Sequence, residues 1–143
     1  ATQFSAHAVF PFGGPPYHPF IDWALRSQSV WQSPVQLLVH NTSGLFVSFR
    51  GALIFDEKLE LPVPKQSPCE TCAEKPCLSA CPAAALTSDG YDVSRCHEYL
   101  DTAAGTECLN NGCLVRRACP IGQNKRLPLQ SAFHMRAFHK GSN

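Results

Sequence analysis

Apolar and polar positions change their rhythm twice along this chain. Over 20–32, Phe20, Trp23, Ala24, Ser27 and Trp31 recur at helical steps, which predicts a short amphipathic helix stopped by Pro34. Residues 35–40 are aliphatic and β-branched, Asn41-Thr42-Ser43-Gly44 is turn-like, and 45–55 alternates as a strand. Two such runs around a turn predict a β-hairpin. A hairpin alone is marginal and needs a partner, so upstream sequence or a second copy of the chain is expected to complete the sheet. Before these elements, 1–19 is rich in Pro, Gly and aromatics and reads as an ordered irregular loop.

The pattern then breaks down. Residues 56–68 form a charged stretch punctuated by Pro62, Pro64 and Pro68, and a boundary falls there. Beyond it only short helices are expected: one over 78–85, one capped by Asp92 and running to about residue 103, a turn over 114–118, and a terminal helix over 128–139. Asn110-Asn111-Gly112 reads as a turn. The division is 1–61 for the helix-plus-hairpin region, 69–122 for a cysteine module, and 128–139 for the last helix. The fold class is α+β.

Composition explains why the second half needs help. The aromatics crowd into the first third, whereas the cysteine half has few large aliphatics, among them Leu86, Leu100, Val115 and Ile121. A bound group is expected to nucleate it. The chain has 143 residues, 16% of them charged, and a formal charge of +1, which gives no reason to expect nucleic acid or a membrane surface as partner. No apolar run approaches the ~20 residues of a spanning helix. The N-terminal residues have neither the basic start nor the apolar stretch of a secretion signal. Cysteines in that context point to a reducing, cytoplasmic compartment and to metal binding.

All 8 cysteines lie from Cys69 onward. The first group is Cys69-x2-Cys72-x4-Cys77-x3-Cys81 and the second Cys96-x11-Cys108-x4-Cys113-x5-Cys119. Each ends in Cys-Pro, at Pro82 and Pro120. The residues alone leave three uses open: two 4Fe–4S clusters, structural zinc, or a disulfide scaffold. Zinc commonly pairs two Cys-x2–4-Cys units, which Cys69/Cys72 and Cys108/Cys113 approach.

Two four-cysteine groups closed by Cys-Pro resemble the bacterial two-cluster ferredoxins, in which the fourth cysteine of each run ligates the other run's cluster. That resemblance implies an electron carrier with Cys69, Cys72, Cys77 and Cys119 on one cluster and Cys81, Cys96, Cys108 and Cys113 on the other. Four residues, Ala73-Glu74-Lys75-Pro76, separate the second and third cysteines where the ferredoxin run has two. Arg95-Cys96-His97-Glu98-Tyr99-Leu100, between the Cys-x2-Cys run and the terminal Cys-Pro, is similar to the iron–sulfur module of epoxyqueuosine reductases and reductive dehalogenases. The match covers about 69–122 and implies cluster ligands, with no carry-over of substrate or corrinoid. The chain as a whole also looks like a set of uncharacterised bacterial ferredoxin-like proteins. An alternative role is therefore the electron-delivering part of a larger reductase.

Other candidates are weaker. Arg116, Arg117, Lys125 and Arg126 surround the Cys119-Pro120 corner and either dock an acidic redox partner or compensate anionic clusters. His97 is expected on an exposed helix face, and His134 and His139 as surface or helix-end charge. Tyr17, Trp23 and Trp31 are read as core packing. No phosphate loop, nucleophile triad or carboxylate pair is recognisable, and no catalytic residue is assigned.

Overall fold

A computed structural model describes residues 5–141. The chain enters as a short strand, β1 (Ala6–Val9), and runs through the Pro- and Gly-rich loop into helix α1 (Phe20–Arg26). The helical rhythm persists in sequence to Trp31, but the helix stops earlier. The Ser27 hydroxyl donates to the Ala24 carbonyl at 2.6 Å, and Gln28 takes a left-handed φ of 58° that turns the chain. Trp31 then lies in β2 (Val30–Gln32), antiparallel to β3 (Leu38–His40) with Val30 opposite His40. The helix expected over 20–32 is thus half helix and half strand.

The expected pairing of 35–40 with 45–55 does not form. Only a single bridge, His40 to Gly44, continues past the turn. The Leu45 side chain is buried in the core at 1% exposure, and its carbonyl accepts from Arg116 Nη1 at 2.8 Å. With that acceptor engaged by a side chain, the segment after Leu45 runs without strand structure until β4 (Ala52–Phe55), which pairs antiparallel with β1. The chain's first strand therefore supplies a partner for β4.

Downstream, α2 (Pro68–Thr71) is followed by a 3-10 turn over Pro76–Leu78. The helix expected over 78–85 is absent: Pro82 within it lacks the amide a helix needs, and Ala84 has a left-handed φ of 49°. In its place a tight hairpin, β5 (Leu86–Thr87) and β6 (Gly90–Tyr91), leads to α3 (Val93–Leu100). Asp92 caps α3 as expected, accepting from the Arg95 amide at 2.9 Å. Two short helices follow, α4 (Thr106–Asn111) and α5 (Leu114–Ala118), then the terminal α6 (Pro128–Lys140). The molecule is mixed α+β with small antiparallel sheets. Among the described residues no helix is long and apolar enough to cross a membrane.

The buried core draws on both sides of the proline-rich stretch. Val35, Val39 and Leu45 pack in one cluster with Cys77, Leu86, Val115 and Cys119, edged by Trp31 and Leu37. The aliphatics that the cysteine half lacks are thus provided by the residues around β3. Two glycines allow the approach. Gly44 has a φ of +57° and Gly122 a φ of +81°; a Cβ on Gly44 would meet the Ile121 carbonyl, and one on Gly122 the Ser43 carbonyl. The Ser43-Gly44 turn and the Ile121-Gly122 turn are backbone against backbone.

Replacing Gly44 by Ala combines left-handed strain, of order 1–3 kcal/mol, with a clash that backbone must absorb. The G44A variant is expected to unfold several degrees lower in thermal melts. Gly13→Ala, whose added carbon would only touch the Phe10 carbonyl at 3.9 Å, is expected to melt close to the parent. Equal midpoints for the two variants would refute the interlock.

Candidate functional site

The cysteines gather in two recesses. Cys69, Cys72, Cys77 and Cys119 line the first, together with Val39, Leu45 and Ile121. Cys81, Cys96, Cys108 and Cys113 line the second, with Leu86, Leu100 and Val115. The recesses enclose similar space, about 370 and 340 Å3 with their mouths included. Each takes three cysteines from one sequence group and the fourth from the other. This is the grouping that the ferredoxin resemblance implies.

Local chemistry places each sulfur. Ser67 caps α2, its hydroxyl accepting from the Cys69 amide at 3.3 Å, and Pro68 at the first helical position fixes the entry. Cys72 ends the helix in an extended conformation. The insertion Ala73-Glu74-Lys75-Pro76 then turns the chain back: Lys75 is left-handed at φ 43°, and its Nζ donates to the Cys72 carbonyl at 3.2 Å. Cys77 consequently returns, on its 3-10 turn, to the recess of Cys69 and Cys72. The two extra residues form a loop and do not displace Cys77 from the recess.

Cys81 points into the other recess. After it the chain folds tightly, with the Ala84 amide donating to the Cys81 carbonyl at 3.0 Å and the Ala85 amide to Cys81 Sγ at 3.3 Å. Cys96 lies in α3 and Cys108 in α4, while Cys113 and Cys119 flank α5 at its two ends. Six residue steps of helical rise amount to about 9 Å, so α5 spans from one recess to the other. Val115 on this helix is fully buried and lines the second recess.

The recesses are poor places for negative charge without a cation. Burial, the largest cause, pushes the Cys69, Cys77, Cys96 and Cys108 thiols above the ordinary 9.0. Neighbouring sulfurs of the same recess add to it: Cys119 and Cys72 at Cys69, and Cys113, Cys81 and Cys108 at Cys96. Donors oppose the rise, namely the Ser67 side chain at Cys69, the Tyr91 side chain at Cys96 and the Leu114 backbone at Cys108. The Tyr91 hydroxyl is itself pushed well up, first by burial and then by its bond to Cys96.

None of the eight cysteines is in a disulfide. Among the described residues no three His, Cys, Asp or Glu side chains converge to hold a single metal ion. The four sulfurs of each set stand around a recess instead of around one point. Donor chemistry fits a thiophilic group in both, with four sulfurs, amide donors and apolar walls.

The remaining candidates are placed as follows. Arg117 pairs with Glu107 at 2.8 Å and donates to the Gly112 carbonyl at 3.0 Å; Arg126 donates to the Asn111 carbonyl at 3.1 Å. Both hold the C-terminal end of α4, and the Glu107 carboxyl is kept below its usual range by Arg117. Arg116 is tied to Leu45, whereas Lys125 is exposed. His97 is not on an exposed face: its ring meets Phe138 edge-on at 4.5 Å and His139 at 5.5 Å, which fastens α6 to α3. His139 also contacts Asp101 at 2.8 Å. Trp23 packs on His18 and Phe20, while Tyr17 is 68% exposed and outside any core. Sequence reasoning missed Tyr91 as a donor to Cys96; its place directly before the Asp92 cap, five residues ahead of Cys96, was the available signal.

The chain matches no known protein-family model, no curated protein and no solved structure.

Because folding keeps the buried thiols protonated, their contribution to the stability of the metal-free chain is complete below pH 9 and is lost as pH rises through their raised values. In metal-free protein, Cys69, Cys77, Cys96 and Cys108 are expected to alkylate more slowly than a free thiol at pH 8 and to go on accelerating with pH where a free thiol has already levelled off. Site-resolved mass spectrometry after timed iodoacetamide exposure reads this. Labelling as fast as a small thiol at pH 8 would contradict the burial of these four sulfurs.

Proposed function

We propose that the protein passes electrons singly through two 4Fe–4S clusters, one held by Cys69, Cys72, Cys77 and Cys119 and the other by Cys81, Cys96, Cys108 and Cys113. The observation that carries this reading is the exchange of cysteines between the two recesses. Two independent zinc knuckles have no need of it, whereas a ferredoxin-like module is built on it. Four sulfurs arranged around a space also suit a multi-iron cube better than a single ion.

The bound cubes would supply a reversible one-electron couple. The chain's own residues do the rest. The eight cysteines would lose their protons on binding iron, whose positive charge would offset the repulsion between the resulting thiolates. The Ala85 and Leu114 amides and the Tyr91 hydroxyl donate toward ligand sulfur, favouring the more negative sulfur and so tuning the potential. The apolar walls of Val39, Leu45, Leu86 and Val115 exclude water from both sites. Helix α5 keeps the recesses at a separation across which an electron can pass. Such chemistry belongs in a reducing compartment, and the cytoplasm is the location we assign.

A second reading, that the chain delivers electrons within a larger reductase, is favoured by its apolar surface. Phe12, Tyr17, Leu61, Val63, Leu129 and Phe133 are 68–89% exposed. Exposed apolar patches of this kind mark contact with another body. The similarity of 69–122 to epoxyqueuosine reductase modules agrees with that role.

Anaerobically purified protein is expected to be brown, to contain iron and acid-labile sulfide in equal amounts, and to give two interacting EPR signals on reduction. Cys119→Ser should cost the cluster of Cys69, Cys72 and Cys77, and Cys81→Ser that of Cys96, Cys108 and Cys113, each leaving about half the iron. Full zinc occupancy without sulfide would replace this reading with a structural zinc module.

A further inference from the structure

A third concavity lies beside the second recess and belongs to neither cysteine set's interior. It is a groove of about 1420 Å3, mouth included, between the segment around Phe46–Arg50 and α6. Its walls carry Arg50, Arg116, Lys125 and His134, and among the described residues that line it there is no Asp or Glu. The chain as a whole has a formal charge of only +1. Positive charge is therefore concentrated here and not a general property of the surface.

These cations are not neutralised within the fold. The ion pairs among the described residues are Arg95–Asp92, Arg117–Glu107 and His139–Asp101, none of which involves the groove. Arg50 leans across the His134 ring, its Nη2 3.1 Å from Nε2, and keeps further N–H groups to donate. Arg116 uses one N–H on the Leu45 carbonyl. Arg117 and Arg126, by contrast, are held at the end of α4 and do not line the groove.

The rest of the lining is apolar and partly flat. Leu37, Phe46, Leu86 and Met135 contribute to it, and Tyr91 and Phe138 stack with their rings 5.9 Å apart and 21° from parallel. An apolar cleft with a few converging charged groups is the usual form of a small-molecule site. Cys113 also lines the groove, so an occupant would sit against the second recess.

We propose that this groove binds a flat, apolar ring system bearing an anionic group, of about the size of a mononucleotide, with Arg50 and Lys125 holding the anion and Phe46, Tyr91 and Phe138 the ring. Binding rests on the groove alone; only the occupant's standing as an electron acceptor rests on the cluster reading.

Flavin mononucleotide and riboflavin are suitable probes, since they share a ring and differ by a phosphate. Titration into the purified full chain, followed by flavin fluorescence, should show saturable binding of the phosphorylated probe and at least about tenfold weaker binding of riboflavin. Inorganic phosphate should compete. The double variant R50Q/K125Q removes two exposed charges outside both cysteine sets, and should weaken the mononucleotide at least about tenfold while leaving iron and sulfide content unchanged. Equal affinity for both probes, or an affinity unaffected by the double variant, overturns the proposal, as does failure of both to bind at millimolar concentration. Iron and sulfide measured on the same preparation keep the two readings apart: binding without sulfide sinks the cluster reading alone, and sulfide without binding sinks the groove.

Discussion

Neither recess can be assembled without the other. Cys113 and Cys119 stand at opposite ends of one five-residue helix, and Cys77 and Cys81 are separated by a single tight turn. A shift of α5 along its axis would move one sulfur into its recess and the other out. The spacing between the two sites is therefore set by covalent geometry and helical rise, and the 3-10 turn over Pro76–Leu78 that carries Cys77 packs against that helix. Val115 is fully buried beneath it, and Arg116 and Arg117, on consecutive positions, reach the Leu45 and Gly112 carbonyls in opposite directions.

The first third of the chain serves this same end. Its contribution to the core is modest in number: Val35, Val39 and Leu45, edged by Trp31 and Leu37. Two of them, Val39 and Leu45, nevertheless form a wall of the first recess, facing Ile121 as the one aliphatic the cysteine half supplies there. The contact at Gly44 and Gly122 is closer than side chains would permit. It sets the distance between that wall and Cys119. A wall at fixed distance is what keeps water from the sulfurs and makes their burial large enough to raise the thiols.

Legibility in the sequence followed the range of the forces involved. Elements set by local chemistry could be read directly: the Asp92 cap of α3, the α5 turn between two cysteines, and α6 after Pro128. Elements decided at long range could not. The strand expected over 45–55 survives only as β4, paired with β1 and not with 35–40, and the helix expected over 78–85 gives way to a tight fold whose Ala85 amide faces Cys81. The grouping of cysteines was available through a resemblance of spacing, while the groove beside Tyr91 and Phe138 was not, since its residues come from five separate stretches. The basic cluster around Cys119 was visible as composition, but its division into two helix-end arginines and two groove cations depends on which carbonyls lie within reach.

The meeting of the Ser43-Gly44 and Ile121-Gly122 turns has a consequence for how the protein is made. A chain emerging from the ribosome presents its N-terminal wall long before its last cysteine. Until Cys119 arrives, Cys69, Cys72 and Cys77 have three sulfurs in place and one side open. The first site is thus completed last, by the turn that follows Cys119 and meets the Ser43-Gly44 turn. Closure of the first recess therefore coincides with the seating of Gly122 against the Ser43 carbonyl.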